Sequence, residues 1–338
     1  MPNIVRRLLI TLGVAAFLGG PLYGLALAPR WDVVPSDLPR QQVAAGRGVY
    51  LAPTRGYRVI GPVGLRNIHR VALESEAAAL VLVARDRTDD LDHRREVDHS
   101  TTTYALDPHT ARSVMCCGAE TDRQGALAQA FPPRTKAESY PWWDGTAQRV
   151  VMARFAGEAM LDGRHVYRFD VRVPPIAIDR VAVPRAAVGS DVDGQVALDW
   201  WYTSTTRLLV EPASGVIVRG TQSADQWLAD GSGTRRLTVA TTSFTDTPAT
   251  VRANLAVADR ARSLQQARRT WPLVVGPLLA VALLACVAVR WDQVPAEQQP
   301  APAVATPIPR RRASAPAPRG VSAWQPAGPN DLQERRPA

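Results

Sequence analysis

Tyr167-Arg168-Phe169-Asp170-Val171-Arg172-Val173 alternates large apolar and polar side chains without a break. A period of two sets one face of a strand against a core and leaves the other in water. Just upstream, Phe155–Met160 and His165–Val171 flank Asp162-Gly163, the dipeptide best suited to a two-residue hairpin turn. The device recurs. Thr101–Leu106 and Ala111–Met115 flank Asp107-Pro108-His109-Thr110, and Leu208–Val210 and Val216–Val218 flank Glu211-Pro212-Ala213-Ser214-Gly215. In both turns an acidic residue precedes a proline whose fixed φ suits the second position. Ala77–Ala84 is a continuous apolar run of strand length, and Val81 and Val83 favour a strand over a short helix. The middle of the chain is therefore expected to be mainly β: a curved antiparallel sheet or half-barrel, with a few helices. One of these is Val251–Ala267, where Leu255, Ala258, Ala261 and Leu264 recur at helical spacing.

Two uncharged apolar runs bracket this region, at 8–28 and 271–289. At a rise of about 1.5 Å per residue, each is long enough for the roughly 30 Å hydrocarbon core of a bilayer. Prolines 21, 272 and 277 would break a soluble helix but are tolerated in a membrane span. Trp31, Trp271 and Trp291 stand at the run ends, where aromatic belts belong. Ala26-Leu27-Ala28 imitates a signal-peptidase site, yet Pro29 follows directly, so the first run is read as an uncleaved anchor. Arg6 and Arg7 before the first run, with Arg290 and Arg310–Arg312 after the second, point to a two-pass cell-membrane protein with both termini cytoplasmic. The expected division is a cytoplasmic N-terminus (1–7), a span (8–28), an extracytoplasmic β-rich domain (29–269), a span (271–289) and a Pro/Ala/Arg-rich tail (290–338). That tail is too poor in large apolar residues to fold.

Charge limits the function classes. The formal charge of +9 leaves the middle domain nearly balanced, at 31 basic against 27 acidic residues, without a basic cluster interleaved with aromatics. Nucleic acid is therefore not an expected partner. Walker, G-x-S-x-G, H-E-x-x-H and dinucleotide motifs are absent from the sequence, so neither an enzyme nor a cofactor is expected. The stretch Asp89–His99 is rich in carboxylates and imidazoles, but Arg87, Arg94 and Arg95 are interleaved and would oppose a cation. It reads as a solvated loop between strands, with no metal. Cys116-Cys117 lies in a compartment where thiols oxidise, with no other reachable partner. A structural disulfide between the neighbours is favoured, and two buried reduced thiols are the alternative.

Aromatic residues suggest where a ligand would sit. In Trp142-Trp143 and Trp200-Trp201-Tyr202, neighbouring side chains point to opposite faces of a strand. Trp143, Phe169, Trp200 and Tyr202 are candidate lining residues of an apolar cavity.

At these same motifs the chain resembles an actinobacterial membrane family, the porin PorA family. The resemblance rests on Gly48-Val49-Tyr50-Leu51, on Leu106-Asp107-Pro108-His109-Thr110 leading to Cys116-Cys117-Gly118, and on Tyr140-Pro141-Trp142-Trp143-Asp144. It continues through Gly157-Glu158 to Asp162-Gly163, Val166-Tyr167-Arg168-Phe169 with Pro174-Pro175, and Val210-Glu211-Pro212. Phe131-Pro132-Pro133 departs from the pattern. The resemblance implies a cell-envelope protein and carries over no catalytic residue. The expected role is to bind or hand over an apolar envelope ligand, a lipid or glycolipid, with membrane lipids and other envelope proteins as partners. The Asp/Glu-x-x-Ser/Thr hairpins look similar to those of bacterial lipoprotein-carrier half-barrels. The alternatives are an oligomeric pore component or a non-catalytic scaffold.

Overall fold

The computed structural model describes residues 3–27, 32–38, 40–75, 79–119 and 121–291. The tail reading and the Arg310–Arg312 cluster lie outside them. Ten strands form one antiparallel sheet: β1 (Gln41–Ala52), β2 (Arg58–Ser75), β3 (Leu80–Asp90), β4 (Arg95–Leu106), β5 (Tyr140–Asp144), β6 (Arg149–Leu161), β7 (Arg164–Pro184), β8 (Gln195–Val210), β9 (Ile217–Ala229) and β10 (Arg235–Asp246). Their spatial order is β4-β3-β2-β1-β10-β9-β8-β7-β6-β5. Two meanders are thus joined by the pairing of the first strand with the last. The sheet curls into a half-barrel, as its alternation and hairpins predict.

Local chemistry accounts for the turns. Asp162 and Gly163 have φ of 48° and 75°, the left-handed pair that lets a two-residue turn follow the strand twist between β6 and β7. At the β8–β9 turn the buried Glu211 carboxylate accepts the Ser214 hydroxyl at 2.6 Å and the Ser214 N–H at 2.8 Å. Pro174-Pro175 falls where the β7–β8 register shifts, as prolines that cannot donate to a ladder should.

Two expectations change. Ala111–Met115 is not a strand. After the Asp107 turn only Ser113 bridges back, to Leu106, because Ala111 takes a φ of 56° and the chain leaves the sheet. Nor is Asp89–His99 a solvated loop. β3 and β4 run into it and leave a tight turn at 91–94, while Asp89 and Asp90 are buried. Asp90 accepts the Tyr50 hydroxyl at 2.6 Å and the His93 and Asp92 N–H groups at 3.0 Å. Burial alone would raise its carboxyl pKa, but these hydrogen bonds override that and hold it below the usual range.

The two end strands, β4 and β5, are linked through the segment that connects them. Val114 N–H donates to Ala105 O, Ser113 N–H to Ala126 O, Leu127 N–H to Pro141 O and Trp143 N–H to Leu127 O, all within 2.8–3.1 Å. This relay forms a seam over the largest core cluster, where Phe131 stacks on Phe169 at 4.5 Å and meets Tyr140 edge-on.

Two helices complete the fold. α1 (Asn3–Leu22) continues as a π-turn over Tyr23–Leu27, and α2 (Pro248–Trp291) is one helix of 44 residues. The expected helix over 251–267 and the second apolar run are therefore continuous. The first turns of α2 pack Val251, Leu255 and Ala258 on Val166, Val216 and Val218. Arg164 clamps Asp259 from β7 at 2.6 and 2.9 Å. Both helices are long and apolar enough to cross a membrane. They lie antiparallel, with Gly20 against Pro272 and Gly276, and Gly13 against Ala280. Such close backbone approach through small residues is the packing that suits helices in lipid, where the hydrophobic driving force between them is absent.

Candidate functional site

Helical spacing gives the first half of α2 two working faces. Val251, Leu255 and Ala258 are spent on the sheet, while Ala253, Ala256, Val257 and Arg260 turn toward β2 and β3. There the inner-face residues Val71, Leu73 and Leu82 and the preceding Leu38 stand opposite them, enclosing a groove of about 860 Å³. Its floor is aliphatic. Its rim carries Arg40, Asp37 and Arg260, with Arg260 donating to Asp37 at 2.7 and 3.0 Å. That pair neutralises itself and leaves Arg40 as a net positive charge. From Arg260 the helix runs eleven residues to Trp271, about 16 Å at helical rise, before the apolar span begins. An apolar groove with a cationic rim suits an amphipathic ligand with an anionic or polar head.

Behind the seam, a polar centre faces the interior of the sheet. His69 Nδ1 donates to Asp86 at 2.8 Å, and Nε2 lies 3.2 Å from Gln129 Oε1 on the connecting segment. Burial works against a charge on His69, but the Asp86 hydrogen bond and the nearby Asp246 prevail and raise its pKa. Asp246 is itself pushed up by burial, against the Gly220 N–H that it accepts. Arg123 lies over the Tyr104 ring at 4.3 Å. The centre ties the seam to the wall of the sheet. Among the described residues no group of three or more His, Cys, Asp or Glu is placed to hold a metal ion.

The expected cavity residues are not brought together. Phe169 is fully buried in the aromatic core with Phe131, Tyr140 and Phe155. Tyr202 belongs to a separate cluster with Val173 and Ala147, and its hydroxyl donates to Asp144 at 3.2 Å. Trp200 packs on a third cluster around Val183, Leu198 and Leu228, its indole N–H donating to Gln226 at 3.1 Å. Trp143 is buried behind the seam. None of the four lines the α2 groove. Cys116 and Cys117 are bonded to each other within the connecting segment, where Cys116 packs on Ala79, Ala105 and Ala119. The groove residues were missed because β2 and α2 lie about 180 positions apart; only the spacing of Ala253, Ala256 and Val257 hinted at a second apolar face.

A family model described as Porin PorA matches residues 6–288, which covers the whole sheet and nearly all of both helices. A curated Porin PorA from Corynebacterium amycolatum is 30% identical over 161 residues, covering 38% of this chain and 42% of the relative, so the alignment spans less than half of that protein. Among solved structures, Rv2717c from M. tuberculosis is matched over 64% of this chain and 99% of its own, at 11% identity and a TM-score of 0.23. That structural likeness is slight. The family match takes in the anchors as well as the half-barrel, and the chain belongs to the porin PorA family.

Proposed function

We propose that this membrane protein presents its half-barrel outside the cytoplasm, with both termini inside, and uses the α2 groove to bind an envelope lipid and hand it on. The observation that carries the reading is the groove itself: about 860 Å³, aliphatic at the floor, cationic at the rim, and built on the helix that enters the membrane. Ligand sites commonly occupy 300–1,000 Å³ with a few placed polar groups, as here. Ala256 is exposed on the groove wall, so Ala256→Trp should fill it without touching the core. The purified full chain should enhance the fluorescence of an apolar naphthalene sulfonate, and a long-chain phospholipid should displace it. Ala256→Trp should lose the signal while keeping its circular dichroism; undiminished signal in that variant removes the groove from the account.

Topology is tested separately. A reporter enzyme active only outside the cytoplasm should work when fused at Asp230 and fail when fused after Arg312. Activity at the second position would contradict the two-pass arrangement.

A second reading follows from the family name. The chain would be the subunit of an envelope pore, formed by several copies because two helices alone cannot enclose a channel, and neither run carries an Asp, Glu, Lys, Arg or His to line one. Stepwise conductance of the purified chain in planar bilayers is the signature of that reading.

A further inference from the structure

The face of the sheet opposite the Phe169 core carries a second arrangement that the lipid reading leaves unused. Alternation turns Tyr202, Ser204 and Leu228 inward and sends Trp201, Thr203 and Thr205 of β8 outward, with Ser223, Asp225 and Trp227 of β9. Registers then align them in rows. Thr205, Ser223, Ser243 and Arg47 are successive cross-strand partners, as are Thr203, Asp225 and Thr241, while Trp201 stands opposite Trp227. A hollow of about 670 Å³ lies over the two hydroxyl rows. In the next row along the strands the indoles of Trp201 and Trp227 lie nearly parallel, 12° apart with centroids 6.2 Å from each other, and the Arg235 guanidinium lies over the Trp227 ring at 5.4 Å.

We propose that this face binds a linear, uncharged oligosaccharide. A sugar ring offers hydroxyls that both donate and accept around its edge and a patch of C–H on its face. The Thr203 and Thr241 hydroxyls donate to Val173 O and Asp225 and present their lone pairs as acceptors, while indole rings supply an apolar surface. Asp225 supplies a fixed acceptor. Arg235 grips it through two bonds of 2.9 and 3.1 Å, and the Thr241 hydroxyl donates to it at 2.6 Å. Burial alone would raise the Asp225 pKa, but these bonds hold it down, so it stays ionised and already compensated.

The test uses the full chain in a detergent without a sugar headgroup. Saturation-transfer difference NMR with cellohexaose and maltohexaose should show transfer to the ring C–H protons of at least one of them. Trp201→Ala with Trp227→Ala should reduce affinity about tenfold or more by removing the aromatic contact. If that variant unfolds, Ser223→Trp blocks the hollow from an exposed position and should do the same. Ala256→Trp should leave the sugar signal unchanged, which separates this site from the lipid groove. Absence of transfer from both sugars to the wild type, or undiminished transfer in the folded Ser223→Trp variant, overturns the proposal.

Discussion

Gly46→Val is expected to abolish the native sheet at ordinary temperature. β1 passes β10 so closely that a Cβ on Gly46 would stand 1.7 Å from the Ser243 carbonyl oxygen and 2.7 Å from its carbon. Both are backbone atoms and cannot swing aside as a side-chain tip can. Overpacking against yielding side chains costs about 1–3 kcal/mol, so a backbone collision should cost at least ~3 kcal/mol. The site is also where the two meanders join, since Gly46 pairs with Phe244 across the β1–β10 ladder and with Leu65 across β1–β2. Near-ultraviolet circular dichroism of the full chain should lose its aromatic signal, while the helical far-ultraviolet signal of α1 and α2 persists. A variant with the wild-type near-ultraviolet spectrum and melting temperature would show that the β1–β10 approach is not this tight.

Phe169→Ala is expected to destabilise the half-barrel by about 3–5 kcal/mol, the usual cost of deleting a fully buried aromatic side chain. Phe169 has no exposed surface and touches Phe131 at 4.5 Å, Phe155 at 5.8 Å and Tyr140 at 5.9 Å. Removing it loosens β5, β6 and the connecting segment together, because Phe131 lies on that segment and keeps only Trp142, at 5.8 Å, as a stacking partner. Urea unfolding followed by tryptophan fluorescence should show a lower midpoint with an unchanged slope. A loss well under 1 kcal/mol would mean that the residue faces a hollow rather than a packed core, as the cavity expectation had it.

What could be seen in the sequence was local. The alternation from Tyr167 to Val173 and the turns at Asp162-Gly163 and Glu211–Gly215 are governed by neighbours, and they stand as expected. The relationship between distant segments was not visible. Nothing adjacent to Gly46 reveals that its partner lies about 200 positions later, nor that the segment after Cys117 returns to bridge β4 to β5. Asp90 looked solvated because acids and arginines surround it in sequence, yet in space it meets Tyr50 from another strand. The cavity aromatics illustrate the same limit. Phe169 and Tyr202 share the inner face, but Tyr202 pairs with Ile176, seven positions further along β7. At about 3.3 Å per strand residue that separates their levels by roughly 23 Å. A common face is necessary for a shared cavity, and on strands this long it is far from sufficient.

The lipid account is tested most directly by native mass spectrometry of the full chain released from its own membrane in detergent. The account predicts a population carrying one bound lipid that survives gentle activation, and its loss from Ala256→Trp prepared in the same way. Wild-type chain that is consistently free of lipid, or an equal lipid-bound fraction in Ala256→Trp, would contradict it.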